Sequence, residues 1–195
     1  LSVLGREGSL ADTKARIRST LASPVHLAKA ELTAMACRGI YLIIDDAQRE
    51  AILTGANSAA RRDLVNALEA ELLPGPLALE LDLAWEAMHR CLTDGTLRDG
   101  EGPLSLFVLG GDRVDVGRAH IARIVSPTQA RAATDASHDV TQSQFRNAYF
   151  ALRARVDYAI NETDFQYTWS AFLDARDFFP RAAAMNRWVL FTAWG

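Results

Sequence analysis

The sequence predicts a single compact layered domain of the α/β or α+β class, with a short mixed sheet covered by several helices. Three observations predict it. Short β-branched and aromatic runs, Arg38–Ile44, Ile121–Val125 and Arg187–Trp194, are scattered among segments with helical apolar spacing. The last run is apolar on both alternating faces, as in a strand interior to a sheet. Thirteen of the 16 aromatic residues lie after residue 140, which puts most of the core in the C-terminal helices and last strand. Each buried ring contributes roughly 1.5–3 kcal/mol.

Arg38–Ile44 runs into Asp45-Asp46, a buried strand followed by a helix N-cap. The segment DAQREAIL continues as a short helix until Gly55-Ala56-Asn57-Ser58 breaks it. Ser58 is expected to cap a second helix reaching about Leu72, with Leu64, Val65, Leu68 and Leu72 at helical spacing. Pro74-Gly75-Pro76 stops it. Leu77–Leu81 reads as a short extended piece. Asp82 then stands where an N-cap is wanted, ahead of a helix in which Trp85, Met88 and Leu92 recur at i, i+3, i+7. Asp94–Pro103 holds three glycines and a proline and reads as a loop.

Leu104–Leu109 is apolar throughout, so periodicity does not separate helix from strand there. Gly110-Gly111-Asp112 reads as a turn. After the strand Ile121–Val125, Ser126 caps a helix to about Asp135, Pro127 takes its first position and Gln129 closes a capping box. Thr141–Arg155 is the next helix, with Phe145 and Tyr149 on one face. Thr168–Met185 is the longest, and Pro180 should kink or interrupt it. Asn186 suits its left-handed C-cap.

The 195 residues and 21.4 kDa fit one domain. A hydrophobic fraction of 49% and a charged fraction of 23% exclude wholesale disorder. A formal charge of −3 gives no basic nucleic-acid footprint. No apolar run approaches the roughly 18 residues that span a bilayer. Both lysines, Lys14 and Lys29, precede residue 35, and no aromatic residue precedes Tyr41. Residues 1–34 are therefore expected to be a weakly ordered extension, or to lie upstream of the natural start, with the domain over 35–195. The first residue is leucine, so the chain is expected to be processed, a fragment, or begun at a non-standard start. No signal peptide is legible, because charged residues break up the first 20 positions. Cys37 and Cys91 are read as reduced thiols, and the location as cytoplasmic.

Asp82, Trp85, Glu86 and His89 form the most suggestive constellation. On one helix, Asp82, Glu86 and His89 would fall at i, i+4, i+7, and a carboxylate can hold an imidazole in one tautomer. The plainer reading has Asp82 as a cap, Trp85 in the core and His89 hydrogen-bonded. Arg38 and Tyr41 on the first strand are candidate ligand-binding residues. Arg38 could bind an anion or pair with a local carboxylate at the strand edge. Gly110-Gly111 is a further candidate, set against a tight turn. His26, His89, His120 and His138 show no metal-binding spacing, so no metal is predicted. The phosphate-loop and dinucleotide patterns are absent, so no cofactor is predicted.

Four segments carry a family resemblance: MACRGIYL (35–42), LELDLAWEAMHRCLT (79–93), PLSLFVLGG (103–111) and ARIVSPTQA (122–130). In this order, followed by the closing helix and RWVLFTAW, they resemble the YfbM-like family of small bacterial proteins, a domain of unknown function. Met88 stands where the family more often has leucine, and 155–167 matches loosely. The resemblance implies a compact mixed α/β fold and no particular activity. Its motif residues here would be Asp82, Trp85, His89, Gly110 and Gly111. Two functions are weighed on this basis, with a regulatory module on nucleic acid ranked last on charge. One is a cytoplasmic bacterial binding domain for a small molecule or a protein partner, including an immunity-type role, with neither nucleic acid nor membrane as partner. The other is a small hydrolase or transferase using His89 oriented by Asp82.

Overall fold

A computed structural model describes residues 38–194, apart from Pro74 and Ala119. The expected extension over 1–34 lies outside the described residues. Five strands and six α-helices follow in the order β1 (Arg38–Ile44), α1 (Asp46–Thr54), α2 (Ser58–Leu72), β2 (Ala78–Asp82), α3 (Ala84–Leu92), β3 (Asp112–Arg113), β4 (His120–Val125), α4 (Pro127–Ser137), α5 (Gln142–Ala151), α6 (Glu162–Ala184) and β5 (Trp188–Trp194). A 3₁₀ segment, Pro103–Phe107, lies between α3 and β3, and a second, Leu152–Ala154, follows α5. The strand order is β2-β1-β5-β4-β3, and every pairing is antiparallel. The expected mixed sheet is thus an antiparallel one, and the class is α+β.

The two-sided apolar run of β5 puts it at the centre, where it pairs with β1 along one edge and β4 along the other. Alternation sends its side chains to two cores. Phe191 and Val189 join Tyr41, Ile43 and Val125 beneath α3, α4, α6 and the first 3₁₀ segment. Leu190 joins Ile40, Leu42 and Ile124 on the other face, covered by Ile52 of α1 and Val65 of α2. The first core is built of rings. Tyr41 lies against Phe178, Phe179 and Phe191, with centroids 5.4–5.7 Å apart, and Phe107 meets Phe179 at 4.4 Å.

The sequence signals for helix ends mostly act as expected. Asp45 caps α1 and Ser126 with Gln129 forms the expected capping box, while Asp45 with Gln48 and Thr141 with Gln144 form two further reciprocal boxes beyond those expected. Asn186 has φ 52°, and the bonds Asn186 N–H to Ala183 O and Arg187 N–H to Ala182 O close α6 as a Schellman motif.

Three local expectations are corrected, and two segments the sequence did not resolve take a definite form. Asn57, not Ser58, caps α2, its side chain accepting from Ala60 N–H at 2.9 Å. Asp82 does not cap α3; it closes β2 with φ 50°, and Leu83 holds the cap position without a side-chain bond. Residues 103–107 take the tight 3₁₀ form that Pro103 starts. β3 is too short for any period to show. Finally, α6 starts at Glu162, where Asn161 accepts from Asp164 N–H at 3.0 Å, and it runs on through Pro180. Proline removes one bond, to the Arg176 carbonyl, but Phe178, Phe179, Ala182 and Ala183 around it are buried and hold the helix in place.

Gly39 explains how two of the recognisable segments meet. A Cβ there would lie 2.7–2.9 Å from three carbons of Trp85. Only a glycine lets the indole of α3 lie directly on β1, next to Phe191 at 5.8 Å. The β1–β2 register shifts at this same point, between Gly39 and Ile40.

Candidate functional site

A cluster of buried polar groups lies around the C-terminal end of α3. This helix presents Trp85, Met88, His89 and Leu92 to the core at helical spacing. His89 is fully buried. Its Nε2 lies 2.6 Å from the Arg98 carbonyl oxygen. A carbonyl only accepts, so Nε2 carries the proton and donates it, leaving a lone pair on Nδ1. That Nδ1 is buried without a protein partner. Burial holds His89 below the ordinary histidine range. The Arg98 carbonyl, Asp94 and Asp99 oppose the shift and Arg90 adds to it.

The segment that His89 holds is the glycine-rich loop over 94–102. Gly95, Gly100 and Gly102 all have φ between 74° and 84°, conformations that bend the chain tightly. Asp94 starts the bend, accepting from Thr96 N–H at 3.0 Å and Thr96 Oγ1 at 2.7 Å. Arg90 donates to Gly95 O at 3.1 Å, Arg155 to Asp94 O at 2.8 Å, and Ser105 Oγ to Gly102 O at 2.7 Å.

Ser105 joins this loop to the Gly110-Gly111 turn. A Cβ on Gly100 would meet Ser105 Cβ at 2.9 Å and His89 Cε1 at 3.7 Å, and a Cβ on Gly110 would meet Ser105 Oγ at 2.2 Å. Gly110 N–H also donates to Ser105 O at 2.9 Å. Gly111 is held as closely, its Cβ position lying 2.6 Å from Ile124 O on β4.

The sheet edge brings one more group. Arg123 of β4 shares a face with Phe191 and Val125, and its side chain is only 8% exposed. It is paired with Asp99, whose side chain is 71% exposed. The Arg123 Nε is buried with no partner. Directly opposite Arg123 on β3 stands Arg113. Burial pulls the Arg123 guanidinium below its ordinary range, Asp99 opposes this, and Arg113 adds to it. Two buried side chains thus hold consecutive loop residues: His89 the carbonyl of Arg98, and Arg123 the carboxylate of Asp99.

Of the residues singled out in the sequence, the structure brings together His89, Gly110 and Gly111, with Trp85 (4% exposed) packed in the core. The others separate. Asp82 is off the helix, and His89 is held by a backbone carbonyl rather than a carboxylate, so the expected orienter is not at its side. Glu86 pairs with Arg90 at 3.0 Å. Tyr41 is wholly enclosed and donates its hydroxyl to the Phe107 carbonyl, which leaves no surface for a ligand. Arg38 alternates with Ile40 and Leu42 to the opposite sheet face, where it pairs with Glu80. Cys91 is a free thiol that burial pushes up to about 12, so it stays protonated at neutral pH.

Arg123, Asp99 and Ser105 were not among the expected site residues. A signal for Arg123 was present, since a charged residue interrupts the run His120–Val125 on its core face. Among the described residues, no group of three or more His, Cys, Asp or Glu could hold a metal ion. No described helix is long and apolar enough to cross a membrane.

Comparison with known proteins agrees with this architecture. No curated protein matches the chain. Among solved structures, the fold is similar to the crystal structure of YfbM from Escherichia coli, a protein of unknown function. The TM-score is 0.58 at 18% identity, covering 80% of this chain and 99% of that one. The family model for DUF1877, a domain of unknown function, matches residues 35–192, which include β1, the α3 helix, the Gly110-Gly111 turn and the glycine-rich loop. With that match over most of its length, the chain belongs to the DUF1877 family.

Proposed function

We propose that the domain is a cytoplasmic bacterial binding module whose ligand meets the 94–102 loop, where it lies against α3, Ser105 and the β3–β4 edge. One observation carries this reading. His89 and Arg123 are buried polar groups that each keep a nitrogen without a protein partner, and both hold the same exposed, glycine-rich loop. Buried polar atoms are ordinarily satisfied, so two orphans under one loop suit a place where something else supplies hydrogen bonds. A loop with three left-handed glycines suits rearrangement around it.

The test is a thermal-shift screen of small metabolites on the full chain, followed by amide hydrogen exchange of each compound that raises the melting temperature. Binders should alter exchange over 94–102. If they leave that loop unchanged and act elsewhere, the reading is wrong.

A second reading, docking of a partner protein, is favoured by Leu83 and Leu97, which stand exposed just before α3 and in the loop after it. Leu83→Asp and Leu97→Asp would then abolish capture of the partner while leaving small-molecule shifts intact. The hydrolase or transferase reading through His89 and Asp82 loses its orienting carboxylate.

A further inference from the structure

Arg123 is an unusual residue to bury. A guanidinium taken from water needs good geometry and further hydrogen bonds to offset its desolvation. Here one nitrogen reaches a single exposed carboxylate, and Nε reaches nothing. The opposing position on β3 is a second arginine, Arg113, and like charges directly opposite each other weaken a strand pair. Cross-strand neighbours have Cβ atoms about 4.5–5.5 Å apart. Two guanidiniums so placed, with Asp99 between the sheet edge and solvent, leave one positive charge uncompensated among the three groups.

We propose that Arg123 and Arg113 form a binding site for a small dicarboxylate, and that Asp99 is an internal stand-in which the ligand displaces. This rests on the reading that the ligand meets the 94–102 loop, and it adds the ligand's chemical class. One ligand carboxylate takes the place of Asp99 on Arg123 and can accept from the unpartnered Nε–H, since an arginine fork matches a carboxylate in two parallel bonds. The second carboxylate neutralises Arg113. Release of Asp99 frees the loop, leaving His89 to hold Arg98 alone. The ligand therefore loosens the loop while it stabilises the sheet edge.

Succinate titrated into the full-length protein by calorimetry tests this, with acetate and inorganic phosphate as comparison probes. Asp99→Asn removes the internal competitor at an exposed position, so it should fold normally and bind succinate about tenfold more tightly than wild type. Arg113→Gln, also on the surface, should weaken succinate binding in the Asp99→Asn background, and Arg123→Gln should abolish it. Acetate should bind more weakly than succinate wherever both arginines are present. In wild type, saturating succinate should speed amide exchange over 96–101.

The proposal is overturned if Asp99→Asn gains no affinity for succinate. It is equally overturned if phosphate binds while succinate does not, or if exchange over 96–101 slows. In each of these cases a neutral compound that alters the loop's exchange would leave the broader binding reading standing. If no compound of any class touches the loop, both fail. Should Arg123→Gln not fold, Asp99→Asn and Arg113→Gln still decide, and an Arg113→Gln that leaves succinate binding unchanged in the Asp99→Asn background also overturns the proposal.

Discussion

Gly39→Ala is a small perturbation with a calculable cost. The added methyl would sit 2.7 Å from Trp85 Cδ1 and 2.9 Å from its Cβ and Cγ. Carbon–carbon contacts are optimal at about 3.5–4.0 Å, so three contacts are too short by about 0.6–0.8 Å at least. The indole has little room to retreat, being 4% exposed and set against Phe191. Such overpacking typically costs about 1–3 kcal/mol. Backbone strain adds nothing, because Gly39 is not in the left-handed region. Stiffening the unfolded chain returns about 0.4–1 kcal/mol. The net expectation is a loss centred on about 1.3 kcal/mol, read from urea denaturation followed by circular dichroism. The slope of the transition should not change. Trp85→Ala removes two of the three clashing carbons, so in that background Gly39→Ala should cost at least about 1 kcal/mol less. A Gly39→Ala protein within about 0.5 kcal/mol of wild type, or strictly additive effects in the cycle, would refute the close approach of α3 to β1.

Other substitutions test the polar groups. Because folding holds His89 below its unfolded value near 6.5, the unfolded chain takes up the proton first as the pH falls. Stability should therefore drop below about pH 6.5, by at most about 1.4 kcal/mol per pH unit, until the folded protein also titrates. His120 is shifted the same way by burial and Arg62, so His89→Gln should shrink this slope without removing it; identical slopes would refute the role of burial at His89. Glu69 of α2 is buried against the sheet, accepting from Thr192 Oγ1 and Trp194 Nε1, and burial raises its pKa while those bonds and Arg38 oppose the rise. A raised carboxyl loses stability as the pH climbs through its folded value. Glu69→Gln should thus be at least as stable as wild type at pH 7, and Glu69→Ala about 1–3 kcal/mol less stable, by thermal melts across pH. At the left-handed end of α6, Asn186→Gly should change the melting temperature little, whereas Asn186→Ala should cost about 1 kcal/mol.

Signals that act within one element were legible in the sequence. The Asp45 cap, the Ser126–Gln129 capping box and the Asn186 turn depend on residues within a few positions of each other, and all three form. The central place of β5 was legible because its two apolar faces demand cover on both sides. The start of α6 was not, since Glu162–Tyr167 offers only Phe165 as a fully buried residue, too little to show a period. The candidate site was half legible. His89 and Gly110-Gly111 carry recognisable local patterns. The pairing of Arg123 with Asp99 spans 24 residues and depends on the β3–β4 register and the loop's path, which no local pattern encodes. Asp82 misled for the opposite reason: an acidic residue before an amphipathic run reads as a cap, yet its backbone turns left-handed at the close of β2.

The central strand is the last one made. β5 joins β1 to β4, and without it β2–β1 and β3–β4 are separate pairs with open edges. On the ribosome the chain must therefore carry both pairs unjoined until residues 188–194 have left the exit tunnel. Their apolar faces stay available to chaperones, or to other nascent chains, from the time each pair emerges until β5 does. Sheet closure then requires contacts between the two ends of the domain, the kind of long-range pairing that folds slowly. A messenger cut short before this strand would yield a product exposing both unpaired edges, so a ribosome stalled near residue 187 should leave the domain sensitive to protease, and one stalled on an added C-terminal linker long enough to bring residue 194 out of the tunnel should not.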